Sequence, residues 1–228
     1  MSPEDLSNRL SAVRHKRGYL LPHHGLMALT APKLLDAYDA AYTALALDDR
    51  VLSHHDREFV WLAILIATDE AIATHHIAKF RTAGGTDDEV RAILAIVALV
   101  CGFRAYRFVD THWASHLPEI DVEASWRAAL AGAGEGADSR LVHLAAAAVQ
   151  AANGEWTGLA FAIRAAYAAK VPETDLAEAL SLTMFPASVP YFVEAAKVWR
   201  EMIVAGEVPA SEAFRAWAAL SGQDGFGG

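Results

Sequence analysis

Cysteine is close to absent. Cys101 is the only one among 228 residues, so no intrachain disulfide can form and no Cys-x-x-Cys pair exists; inside its apolar run it is expected as a small buried hydrophobe. Basic residues are also scarce: 19 Lys and Arg stand against 28 Asp and Glu, a formal net charge of −9. No basic stripe is present, so nucleic-acid binding is not expected. An acidic surface also discourages binding to anionic membranes. Long apolar runs are missing too. The longest near-continuous one, Ala92 to Phe103, falls short of the roughly 20 residues that a membrane span needs. The start, Met-Ser-Pro-Glu-Asp, lacks the basic and apolar segments of a secretion signal. The expectation is a cytoplasmic protein that neither binds nucleic acid nor enters a membrane. Proline and glycine are few, at 8 and 15, and no segment alternates with period two, so neither disorder nor strands are expected.

What the chain does have is apolar bulk, 54% of its residues, with alanine commonest. Small side chains and good helix formers suit closely packed helices, and the fold class expected is all-α. Ser2-Pro3-Glu4-Asp5 reads as a helix start, a loop follows around Gly18–Leu26, and Thr30-Ala31-Pro32 opens a helix towards Leu47. Ser53 caps a third helix, with Asp56 at the capping-box position, and the sequence from Arg57 to Ala67 is almost wholly apolar. Thr68 or Asp69 is placed to cap a helix to Ala83, ended by Gly84-Gly85. Thr86 with Glu89 forms another capping box, before a long helix that stops short of Pro118. After a linker at 131–137, helices are expected at 138–153, 155–170, 173–184, 190–206 and 211–220, with a frayed tail at 221–228.

Shifting the first half by 86 positions lays Gly85–Val90 on Val171–Leu176 and Cys101–Ala105 on Ala187–Tyr191. Identity is low, but the order of turn, acidic cap, apolar helix, small-residue kink and further helix recurs. Two tandem helical bundles around a pseudo-twofold axis are therefore expected. The organisation reads as N-terminal helices at 1–50, a first repeat at 51–130, a degenerate second repeat at 131–220 and the tail.

Several residues then line up in one order: Leu52-Ser53, Asp56-Arg57-Glu58, an apolar helix, His76, Gly84, Thr86, Glu89 and Cys101-Gly102-Phe103-Arg104-Ala105. This series resembles the carboxymuconolactone decarboxylase and AhpD-like alkylhydroperoxidase superfamily over residues 31–110, and more faintly over 138–205. Arg104 stands where the family has proline; Pro190 keeps it in the second copy. The resemblance implies an all-α, oligomeric protein with a small pocket near the histidine and the glutamate. The family's peroxidase branch uses two cysteines, at positions that hold Asp69 and Ile72 here. Without a thiolate, peroxide reduction by that route is excluded. The decarboxylase branch needs no cysteine and resembles the chain better.

His76 and Glu58 fall at the family's histidine and glutamate positions, and His76 is the first candidate for moving a proton near neutral pH. Burial in an apolar helix would turn Glu58 into a usable acid or base; the alternatives are a salt bridge to Arg57 or Arg81, or a first-turn acid. Asp69 and Glu70 complete the catalytic set, with helix capping as the plainer role for Asp69. Substrate binding is assigned to Arg104, for a carboxylate, with Tyr106 and His75; a surface pair with Asp110 is the other role open to Arg104. His75 should point about 100° away from His76 on an ideal helix. The ten histidines include three adjacent pairs, so a divalent metal is carried as an alternative cofactor, with His75, His76, Glu70, His112 and His116 as ligands. His112 and His116 have i, i+4 spacing. His54-His55 read as solvated, and His23-His24 as part of a loop that would cover the pocket. The second copy has Phe161-Ala162 in place of His75-His76.

The leading expectation is a lyase or isomerase that needs no cofactor and acts on a small, carboxylated metabolite. The rivals are a metal-dependent enzyme and a non-catalytic binding or assembly protein. A homo-oligomer, dimer or trimer, is expected.

Overall fold

The computed structural model describes residues 2–223 and Gly225; Met1, Asp224 and 226–228 lie outside the described residues, and with them part of the expected tail. All regular structure among the described residues is helical. The chain divides into two compact units, one ending at Arg50 and one beginning at Val51.

The first unit holds α1 (Pro3–Arg17), α2 (Pro22–Thr30) and α3 (Pro32–Tyr42), with a wider π-turn at Thr43–Leu47. Ser2 and Asp5 cap α1 reciprocally, and Gly18 ends it in the left-handed region at φ 81°. Val13, Ala28 and Leu35 form the small core. The expected loop at Gly18–Leu26 is corrected here. Pro22 opens α2, so His23 and His24 sit in its first turn. His24 is fully buried, and its Nδ1 accepts the Leu21 N–H at 3.0 Å. Burial, with His23 and Arg17 adding to it, pushes His24 down to about 4.

The second unit contains α4 (His54–Ala67), α5 (His75–Thr82), α6 (Asp87–Cys101), α7 (Arg104–His112) and α8 (Val122–Ala133). After it come α9 (Ser139–Ala152), α10 (Trp156–Ala168), α11 (Glu173–Ser181), α12 (Val189–Val204) and α13 (Glu212–Ala218). Short 3-10 turns cover Ala114–His116 and Leu182–Met184. The centre is α9, which packs against α4, α6, α10 and α11. Every residue from Leu144 to Ala152 is buried. Both expected repeats lie inside this one compact unit.

Five expectations are corrected in this unit. No helix starts at Thr68 or Asp69. Asp69 takes φ 55°, while the Glu70 N–H reaches back to the Leu65 carbonyl at 3.0 Å, so the acid finishes α4 in a left-handed turn. A stretch of turns then delays α5 until His75. The long helix after Thr86 breaks at Gly102 into α6 and α7. His112 therefore ends α7 while His116 lies in a 3-10 turn, and the two do not share a helical face. The expected linker at 131–137 begins inside a helix, because α8, capped by Asp121, runs on to Ala133. Cys101, read as buried in its apolar run, is exposed at the end of α6.

By length and mean hydropathy alone, 1.9 over its most apolar window, the run Asp87–His112 would suffice to cross a membrane. In the fold, α6 turns Ala92, Ile93, Ile96, Val97 and Val100 inward and packs against α4, α8 and α9.

Candidate active site: a buried imidazole–carboxylate pair

Ser53 accepts the Asp56 N–H at 3.1 Å and starts α4, which then buries every residue from Arg57 to Leu65. Two of those residues are charged. Glu58 is 3% exposed and lies one turn before Trp61 on the same face. The following helix, α5, delivers His76, 2% exposed, to the same place. The Nδ1 of His76 stands 2.6 Å from Oε2 of Glu58. Trp61 stacks on the imidazole with centroids 4.6 Å apart and planes 25° apart. The ring of His75 meets it at 4.3 Å, so the two histidines are neighbours despite their divergence along the helix. A buried imidazole and a buried carboxylate each need a polar partner, and here each supplies the other.

Beside this pair is a cleft of about 310 Å³. Its wall is formed by Leu62, Leu65 and Ile66 of α4, by Asp69, Glu70 and Ala71 in the turn, and by Ala73, Thr74 and Ile77 around the start of α5. Asp69 and Glu70 are exposed on it. Neither His75 nor His76 is on the wall: Thr74 and Ile77 face the cleft, while the ring of His76 meets Glu58.

A second set of charges supports α4. His55 bonds Asp56 at 3.2 Å and Glu89 at 3.0 Å and stacks on Phe80, so it is not the solvated residue expected. Burial opposes its charged form, but the two carboxylates outweigh burial and hold it above its ordinary value of 6.5. Arg140 of α9 bridges Asp56 of α4 and Asp175 of α11, the latter at 2.6 Å. Burial raises Asp56, yet Arg140 and His55 prevail and set it below 3.8. Deeper still, Arg57 faces Glu178 at 3.5 Å, and Glu178 also accepts the Leu52 N–H at 2.9 Å.

The remaining candidates lie apart from the cleft wall. Arg104 is exposed on α7 and forms no ion pair, with Asp110 or otherwise, among the described residues. Tyr106 lines a separate apolar hollow of about 220 Å³ with Val109 and Ile120. Arg81 pairs with Asp87, not with Glu58. Among the described residues no three His, Cys, Asp or Glu side chains come together as a metal-binding set, so His75, His76, Glu70, His112 and His116 are not gathered at one point. Sequence reasoning missed Trp61. The i, i+3 spacing from Glu58 was the signal that could have found it.

Fold and site together define an all-α protein built around a buried histidine–glutamate pair on two consecutive helices. Residues 32–110, from the start of α3 into α7, match the model of the carboxymuconolactone decarboxylase family. The match takes in Glu58, His76, Arg104 and Tyr106 and covers less than half of the chain. No curated protein and no solved structure matches.

Proposed function

We propose that the second unit is an acid–base enzyme of the carboxymuconolactone decarboxylase type, a lyase or isomerase that needs no cofactor. The observation that carries this reading is the 2.6 Å contact between His76 Nδ1 and Glu58. A carboxylate there fixes the proton on Nδ1 and leaves Nε2 to exchange a proton with a substrate carbon. Trp61 limits rotation of the ring from one side. In a decarboxylation the C–C bond breaks, CO₂ leaves, the electron pair passes into an adjacent carbonyl of the substrate, and His76 returns a proton to the carbon. The cleft lined by Glu70 would hold the substrate. Two carboxylates and no basic side chain line it, which favours substrates without a carboxylate of their own; Arg104, on α7, is not part of this wall. We also propose a homo-oligomer, because Leu94, Phe108 and Trp113 leave apolar surface exposed along α6 and α7.

A second reading is a non-catalytic binding or assembly protein in which the pair only holds α5 against α4. The specific observation in its favour is the 2% exposure of His76. One experiment separates the two. Neutral and carboxylated lactones and keto acids are incubated in D₂O with wild type, His76→Ala and Glu58→Gln, and exchange of carbon-bound protons and CO₂ release are followed by NMR. The enzymatic reading requires turnover that drops at least about 100-fold in both folded variants. Equal turnover in wild type and variants, or none with any compound, rejects it in favour of the second.

A further inference from the structure

The helices α11, α12 and α13 surround a second hollow, of about 270 Å³, that proton transfer at His76 leaves unused. Its wall is aromatic. Trp199 is buried, and Phe192, Phe214 and Trp217 are half-buried. The rings of Trp199, Phe214 and Trp217 lie 5.0, 6.0 and 6.1 Å apart in pairs, tilted or edge to face. Rings in such contact fix one another's orientation, so the wall is formed before any ligand arrives. Ala177, Leu180 and Ala196 complete it, and the small side chains of the two alanines are what keep the hollow open.

The hollow shares Phe192, Ala196 and Trp217 with a wider cleft of about 560 Å³. Among the described residues, Lys197, Arg200 and Glu194 are the charged groups that line that cleft. Arg200 is tied to the end of α13, where its Nε donates to the Ala218 carbonyl at 3.0 Å. Lys197 is exposed and forms two loose ion pairs along α12, with Glu194 and Glu201, both at 4.0 Å and too long for hydrogen bonds that a ligand carboxylate would have to break. An apolar slot with a few convergent polar groups at its mouth is the usual construction of a small-molecule site. Here the slot suits an apolar body, and the mouth suits one negative charge.

We propose that this hollow binds a small organic acid with an aryl or medium-length alkyl body, the body against Trp199, Phe214 and Trp217 and the carboxylate at Lys197. The proposal does not depend on any chemistry at His76. The test is titration of the full chain with 4-phenylbutyrate and with its neutral amide, read by tryptophan fluorescence and by calorimetry. Saturable binding of the acid is expected with Kd below about 1 mM, and weaker binding of the amide. Lys197→Gln should bring the acid down to the affinity of the amide. Ala196→Phe and, separately, Ala177→Leu should abolish binding of both while circular dichroism shows an unchanged helical fold. No saturation, equal affinity of acid and amide, or wild-type binding by both filled variants would overturn the proposal. So would a fluorescence change that follows protein concentration and not ligand, because the hollow would then be covered by a second copy of the chain.

Discussion

Arg140 is the residue whose loss should be felt across most of the second unit. Its guanidinium reaches α4 through Asp56 and α11 through Asp175. All three side chains are less than a third exposed, at 31%, 16% and 12%. A hydrogen bond to a charged group contributes about 1.5–3 kcal/mol. With two such bonds and partial solvent access, Arg140→Met should cost about 3 kcal/mol. For a unit of this size that is a fall in Tm of about 6–12 °C. Arg140→Lys should recover only part, because one ammonium cannot present two parallel donors to two carboxylates. The pH dependence supplies a second check. Asp56 is held below its ordinary value, so its stabilisation is complete above about 3.9 and is lost as pH falls through the lower folded value. The penalty of Arg140→Met should accordingly be full at pH 7 and shrink below pH 4. Urea unfolding followed by tryptophan fluorescence measures both. A loss under about 1 kcal/mol, a lysine variant equal to wild type, or a penalty unchanged at pH 3 would refute the reasoning.

His55 is held above its ordinary 6.5, so its ion pairs stabilise the fold fully below that pH and fade as pH rises through the raised value. The urea midpoint of wild type should therefore lose its advantage over His55→Gln as pH climbs from 6 to 8, and parallel curves would contradict this. Gln150 is fully buried with neither amide atom hydrogen-bonded. Gln150→Met should leave stability unchanged or raise it by about 1 kcal/mol, and a clear loss in the same unfolding assay would show a partner for the amide. Among the described residues no three ligand side chains gather at one point, so the purified, untagged protein should carry metal only below stoichiometry by mass spectrometry. Near-stoichiometric metal that disappears in His76→Ala would bring back the metal-dependent enzyme.

Local chemistry was readable from the sequence wherever the chain itself enforces it. Ser2 with Asp5 and Thr86 with Glu89 form the reciprocal caps that their spacing implies, because those bonds close within one turn. Glu58 and His76 were both named in advance, and the structure places them in contact. What stayed illegible depends on distant partners. Nothing near Asp56 indicates that Arg140, 84 positions away, would claim it, or that Glu178 would reach the Leu52 amide from 126 positions away. Asp69 misled because a short acid suits both a helix start and a left-handed helix end, and only the bond from Glu70 back to Leu65 decides between them. The apolar run through Cys101 misled for another reason. Composition does not say which side of α6 meets the core, and Cys101 lies on the other side.

The burial of α9 has a consequence for how this protein unfolds and how it can change. Ala145 to Ala148 have no exposed surface, and the helix that carries them packs against α4, which holds Glu58 and Trp61, and against α11 and α12. Two bundles joined by a linker would melt separately and would survive being cut apart at 131–137. A unit that shares one central helix should melt in a single step, and neither half alone should keep its core. Substitutions along α9 are then felt beyond the helix itself: one added methylene at Ala147 has no solvent to escape into and must displace the side chains packed around it.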